Sequence, residues 1–230
     1  MTFSSQLGGR SIFYEPDTND HGLQYNPYKS IVVPRPIGWV STLGPTGIVK
    51  IAPFSQFNNI GYDPPYVMFA AAQKPDGTPK DSTANAMRSG EFVCSMATYE
   101  LREAVNVTGQ FVDADVDEMA MAGLTPAPSR LIAPPRVAES PVHLECRFHA
   151  TMVLPGHHVE ANHDVVVGRV IGVHIEDDAL TDDGRIDIAR LRPLARLGYY
   201  DYAAIDSVFE MMPEGPNSRA FTGEASGAAK

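Results

Sequence analysis

His143-Leu144-Glu145-Cys146-Arg147-Phe148-His149-Ala150-Thr151-Met152-Val153-Leu154 alternates with a period of two. Its even positions are Leu144, Cys146, Phe148, Ala150, Met152 and Leu154, and its odd ones begin His143, Glu145, Arg147 and His149. Side chains alternate across a β-strand, so this pattern predicts a long strand with a core face and an outward face. A second long strand is expected from Val165 to Ile175, with Gly168 and Gly172 on one face where another layer can approach closely. Tyr66 to Ala72 is apolar on both faces, as in a strand covered from two sides, and Asp63-Pro64-Pro65 marks its start.

Outward from these strands the pattern repeats. Ile31–Val33, Ile37–Thr42 and Ile48–Ala52 read as strands, the last after the turn residues Gly44-Pro45-Thr46-Gly47. Three short helices interrupt them. The first starts near Asp81 or Ser82 and stops at Gly90. The second has Thr98 as N-cap and Gly109 beyond its end. The third opens at Asp115 with Glu118 in capping-box spacing and ends at Gly123. A proline-rich connector, Thr125 to Pro135, precedes the long strand. Many strands, few helices and no regular strand–helix alternation predict a mainly β, antiparallel barrel with short peripheral helices. Residues 1–212 form the expected domain, with an irregular extension over about 1–28, and 213–230 read as a polar tail.

Composition narrows the function. The 230 residues carry a net charge of −10 with histidine neutral, a surface that repels phosphate backbones and anionic lipid. A nucleic-acid or membrane partner is therefore not expected. The longest apolar run, Tyr66 to Ala72, is far short of a membrane span. The start MTFSSQLGGR has no basic segment followed by an apolar one, so the expected location is cytoplasmic. Cys94 and Cys146 form no CxxC pair and read as buried free thiols. P-loop, GxGxxG, GxSxG and HExxH motifs are missing from the sequence. His157, His158 and His163 read as a solvated loop with no metal role, and Asp113 to Glu118 as a helix start instead of a calcium loop.

Two segments carry chemistry. Arg35-Pro36-Ile37-Gly38-Trp39-Val40-Ser41-Thr42 is followed, after one hairpin, by Ala52-Pro53-Phe54-Ser55. Apolar surface beside hydroxyl donors suits a planar heteroaromatic ligand. On composition alone, a buried hairpin whose hydroxyls close backbone hydrogen bonds is the stronger reading. Lys80-Asp81-Ser82-Thr83-Ala84-Asn85 places a cation, hydroxyls and an amide at a helix N-terminus, a natural seat for phosphate. Asp81 suits a cap, or a partner that orients Lys80, better than a phosphate ligand. An ordinary capped surface helix explains this segment equally well.

Taken in order, RPIGWVST (35–42), APFS (52–55), the strand from Asp63 to Ala72 and KDSTAN (80–85) closely resemble the flavin reductase-like, FMN-binding split-barrel family. PVHLECR (141–147), VVVGRVIGVH (165–174) and LARLGYYDY (194–202) extend the resemblance over roughly Ser30 to Ile205. It implies an antiparallel split β-barrel binding FMN, with FAD as the alternative. The strand with Arg35, Gly38, Trp39, Val40, Ser41 and Thr42 would run along the isoalloxazine ring, with Trp39, Ser41 and Thr42 nearest. Ala52, Pro53, Phe54 and Ser55 would supply further flavin contacts, and Lys80, Ser82 and Asn85 would hold the phosphate beside Asp81. Ser82 stands where the family commonly has threonine, and the hydroxyl survives that change.

The activity implied is NAD(P)H-dependent flavin reduction, with hydride passing from nicotinamide to flavin N5. No catalytic acid or base of the protein is needed. The alternative is a flavoredoxin-like electron carrier without its own nicotinamide activity. A homodimer is implied, as is a partner monooxygenase or other redox protein. The row His143, Glu145, Arg147 and His149 either joins the dimer contact or is simply solvated. The loop from His157 to Asp164 is longer than the family's usual turn and leaves the electron donor open.

Overall fold

The computed structural model describes residues 11–211. Its strands are β1 (Arg35–Pro36), β2 (Gly38–Leu43), β3 (Val49–Phe54), β4 (Phe57–Tyr62), β5 (Pro65–Ala72) and β6 (Glu91–Met96). They continue with β7 (Pro126–Ala127), β8 (Arg136–Val137), β9 (Val142–Leu154), β10 (His163–Ile175), β11 (Leu194–Gly198) and β12 (Asp201–Ala204). The helices are α1 (Asp81–Ser89), α2 (Arg102–Val107), α3 (Glu118–Met121) and α4 (Ile188–Leu191).

Seven strands form one antiparallel sheet in the order β3-β2-β6-β9-β10-β5-β4, and β1, β11 and β12 form a second. The edge strands β3 and β4 lie at opposite ends of that order, yet only Ser55 and Gln56 separate them in the chain. Three Cα–Cα steps span at most about 11 Å, so the sheet must curl until its two edges meet. At the seam, Gln56 accepts a hydrogen bond from the Ala70 amide on β5, 2.8 Å. Gly38 makes the closure sterically feasible: a Cβ there would fall 2.4 Å from the Phe57 ring. The result is a mainly β, antiparallel split barrel with short peripheral helices.

Alternation along β2 divides the core. Val40 faces the barrel interior with Phe54, Phe69, Phe92, Cys94, Cys146 and Val166. Phe54 meets Phe69 at a tilt and Phe69 meets Phe92 edge to face, with centroids 4.8 and 5.5 Å apart. Trp39 faces the other way, into a cluster with Ile37, Ile51, Val105, Met119 and Val137 beneath α2 and α3. Both cysteines are free and buried, as the strand pattern predicts.

Several expectations change. Ile31–Val33 is an exposed turn, because the chain pairs only from Arg35 onward. Thr98 does not cap α2; it bridges Pro193, and α2 starts after Leu101. Asp117, not Asp115, caps α3 through the Ala120 amide, and Glu118 points into the protein. On β9, His143 and Glu145 are fully buried while Arg147 and His149 are exposed. The reason is the proline-rich connector, which folds back over that face. Glu145 accepts from the Arg130 and Leu131 amides (2.7 and 2.8 Å), and His143 Nε2–H donates to the Val137 carbonyl (2.8 Å). Gly168 and Gly172 do not share a face. A register shift between Val170 and Gly172 turns Gly168 toward Phe92 and Gly172 toward Glu145 and Leu131. The tail from Pro213 lies outside the described residues, as do residues 1–10 of the N-terminal extension.

Candidate functional site

The barrel seam opens into a cavity of about 880 Å³. One wall is the end of β3, Ala52 to Ser55, with Gln56. The end of β5 and the Gln73–Asp76 turn form the second wall, and the N-terminus of α1, Lys80 to Ser82, forms the third. The segment Thr108 to Ala114 closes the fourth side, with Glu160 and His163 at the edge. Ser55 and Lys80 thus face one space although they belong to different elements.

Helix α1 is built to leave its N-terminus open. Lys80 occupies the N-cap in an extended conformation, and its side chain makes no capping hydrogen bond. A lysine has no acceptor to offer the leading N–H groups. Gly90 closes the other end in the left-handed region, with its N–H on the Ala86 carbonyl. Asp81 pairs with Lys74 at 2.7 Å, so it neither caps the helix nor orients Lys80. Lys80 itself makes no ion pair among the described residues; its ammonium lies 4.7 Å from the Phe111 ring centre. Burial lowers its pKa below the usual lysine value. Ser82 is buried beside it on the cavity wall.

The cavity floor holds an ion pair. Lys50 Nζ lies 3.4 Å from Glu118 Oε1 and donates to the carbonyls of Asp113 (3.0 Å) and Val116 (3.1 Å). Glu118 Oε2 accepts from the Ile51 amide at 2.7 Å. Burial pushes the Glu118 carboxyl up, opposed by that amide and by Lys50. Of the three lysines on the cavity, Lys50 and Lys74 therefore have carboxylate partners, and Lys80 is the cation left to meet an anion.

Of the expected flavin-contact residues, Ala52, Pro53, Phe54, Ser55, Lys80, Asp81 and Ser82 line the cavity. Gly38, Trp39, Val40, Ser41, Thr42 and Asn85 do not; they form the layer behind it. Trp39 is fully buried, and its Nε1–H donates to Thr108 Oγ1 at 2.9 Å. It acts on the cavity by fixing the root of the Thr108–Ala114 wall. Ser41 donates to the Pro135 carbonyl, 2.5 Å, and Asn85 Nδ2–H donates to Thr42 Oγ1, 3.2 Å, tying α1 to β2. Arg35 lines a neighbouring groove.

Sequence reading did not single out Lys50, Lys74 or Phe111 for the site, and it gave Glu118 only a capping role. The one local signal for Lys50 is a lone charge inside the apolar stretch Ile48 to Ala52. The loop from His157 to Asp164 is fixed to the rim: Asn162 Nδ2–H donates to Gln73 Oε1 (3.1 Å), and Gln73 Nε2–H to Asp164 Oδ1 (2.8 Å). Among the described residues, no group of three or more His, Cys, Asp or Glu could hold a metal. Among them, also, no helix is long and apolar enough to cross a membrane.

A model of the flavin reductase like domain matches residues 30–202. This chain belongs to the flavin reductase-like family. An uncharacterized protein of Halalkalibacterium halodurans is 36% identical over 196 residues, covering 85% of this chain and 93% of that protein. Nitrilotriacetate monooxygenase component B from Bacillus cereus superposes with a TM-score of 0.80 at 28% identity, over 88% of this chain and 100% of that one. A split barrel domain protein from Shewanella frigidimarina gives a TM-score of 0.74 at 20% identity, over 89% of this chain and 100% of that one. The last similarity speaks for the split-barrel fold alone.

Proposed function

We propose that the protein is an NAD(P)H-dependent flavin oxidoreductase that holds FMN in the seam cavity. The observation that carries this reading is one space bounded by the β3 end at one side and, at the other, an uncapped helix tip whose lysine has no ion pair among the described residues. A volume of about 880 Å³ lies within the range, about 300–1,000 Å³, of sites that enclose a small ligand. The donor set suits a phosphate: Lys80, the Ser82 hydroxyl and the free amides of the first turn of α1. The cavity wall at Ala52, Pro53 and Ala70 to Ala72 suits an apolar ring edge, with Ser55 and Gln56 as polar groups beside it.

Bound there, FMN supplies the two-electron redox chemistry. The chain's own residues do the rest. Lys80 neutralises the phosphate, and the α1 dipole adds partial positive charge on the same side. Trp39 and Asn85 position the cavity walls through Thr108 and Thr42. Lys50 and Glu118 keep the floor polar but internally balanced, so the floor does not compete for the anion. A homodimer and a partner oxygenase belong to this reading. The exposed apolar end of β9, Met152 to Leu154, supports the former, and the name of the Bacillus cereus component B supports the latter.

The test is a visible spectrum of the purified protein, then FMN titration, then NADH or NADPH with and without free FMN. Nicotinamide oxidation stimulated by FMN is the expected result. A colourless protein that FMN cannot convert overturns the proposal. A stable yellow protein that consumes neither nicotinamide makes it an electron carrier.

A further inference from the structure

A second groove of about 820 Å³ runs beside the cavity and shares Pro53, Ser55 and Gln56 with it. It contains Arg35 and Arg196, which stand directly opposite each other in the β1–β11 pairing. Like charges on cross-strand partners repel. Neither guanidinium meets a carboxylate among the described residues. Arg35 donates instead to the carbonyls of Val32 (2.6 Å) and Lys29 (3.3 Å), and its buried Nε–H has no acceptor there. Arg196 donates to the Tyr199 carbonyl and lies 4.5 Å above the Tyr202 ring. Among the described residues Arg102, Arg147, Arg185, Arg190 and Arg192 pair with carboxylates while Arg88, Arg130, Arg136 and Arg169 do not, so what sets Arg35 and Arg196 apart is that they face each other across one strand pair. Two facing arginines without a carboxylate leave a positive site that an external anion would satisfy.

The groove also offers aromatic faces. Tyr25 packs against Tyr199 with centroids 5.6 Å apart, and Tyr200 is 95% exposed on the rim. The groove is held in place over a long range in sequence. Ser30 Oγ–H donates to the Leu197 carbonyl at 2.5 Å, and a Cβ on Gly198 would fall 2.2 Å from the Lys29 carbonyl oxygen. Gly198 has φ +100°, so the close approach and the backbone both require glycine.

We propose that this groove seats the second substrate of the reaction, a planar ring carrying an anionic group, with Arg35 and Arg196 on the anion and the tyrosines against the ring. The role as second-substrate site rests on the flavin reading of the adjoining cavity; the anion site itself does not. A dinucleotide phosphate and an aromatic carboxylate share this chemistry, and the test separates them.

Calorimetric titration of the purified full-length protein, without flavin, compares AMP with adenosine and benzoate with benzamide. At least one anion should bind at least tenfold more tightly than its neutral counterpart. AMP binding points to a dinucleotide, benzoate binding to an aromatic acid. Arg196→Gln should weaken that anion about tenfold, while Arg196→Lys retains most of the affinity. Tyr200→Ala, at an exposed position, should weaken it several-fold with an unchanged melting temperature. FMN affinity, read by fluorescence quenching, should not follow Arg196→Gln. The proposal is overturned if neither anion binds, if neutral and charged probes bind alike, or if Arg196→Gln binds like wild type. Parallel loss of FMN and anion also overturns it, because the groove would then belong to the flavin. If wild type fails to bind FMN, the flavin reading falls, and the anion titrations still decide the groove.

Discussion

The Lys50 ammonium and the Glu118 carboxylate face each other at 3.4 Å beneath the cavity, both withdrawn from water. The pair is asymmetric. Lys50 has two carbonyl acceptors besides Glu118, whereas Glu118 has the Ile51 amide alone. Removing the lysine strands a buried carboxylate, so Lys50→Met should cost about 3–5 kcal/mol. Glu118→Gln keeps an acceptor for Ile51 and should cost less, and the double variant should recover part of the Lys50→Met loss. Urea denaturation of the three variants gives the ranking; equal costs for both single variants would contradict this asymmetry.

The open tip of α1 sets the second prediction. Lys80→Ala should weaken FMN binding by about tenfold or more, the scale of a lost charge-assisted hydrogen bond. Riboflavin has no phosphate and should be affected far less. Fluorescence titration with both flavins measures the difference, and equal losses would remove Lys80 from the phosphate site.

His143 gives a pH signature. Burial lowers its pKa from 6.5 to about 4, helped by the nearby Arg136 and opposed by the hydrogen bond to the Val137 carbonyl. The unfolded chain therefore binds the proton more readily than the folded one. The neutral ring costs the fold nothing above pH 6.5, and stability falls as pH drops from 6.5 toward 4. A gap of that size corresponds to a loss of about 3 kcal/mol at full protonation. His143→Gln should flatten the stability–pH curve in that window, as chemical denaturation at stepped pH values would reveal.

Gly168 tests the barrel interior. A Cβ there would sit 2.2 Å from the Phe92 ring, which is rigid and already packed against Phe69. Gly168→Ala should destabilise by about 1–3 kcal/mol. Adding Phe92→Leu should restore part of the loss in melting temperature; no restoration would place the strain elsewhere.

Local pattern carried the reading where a segment's neighbours in space are also its neighbours in sequence. The strand β5 after Asp63-Pro64-Pro65, the hairpin β2–β3 and the stop of α1 at Gly90 all follow from nearby residues. Local pattern does not join Ser55 to Lys80; the family resemblance alone does, and both line the seam cavity. Local pattern failed where a distant segment returns. The outward face of β9 is buried because residues 128–137 fold over it, and nothing in the alternation of His143 and Glu145 announces that return. Glu118 occupies a capping-box spacing, yet Lys50 and the Ile51 amide, more than sixty positions earlier, claim its carboxylate. Composition favours a buried hairpin at Trp39 and only the family resemblance brings that residue to the flavin ring; alternation along β2 buries it behind the cavity, on Thr108.

The two-residue link Ser55–Gln56 is at once the barrel's closing stitch and the common border of both hollows. Lengthening it by a single residue would shift the two pockets together and loosen the curvature of the whole sheet. The segments around it, Gln73–Lys80 and Thr108–Ala114 on one hollow and Arg196–Tyr202 on the other, can change their side chains while the stitch keeps its length.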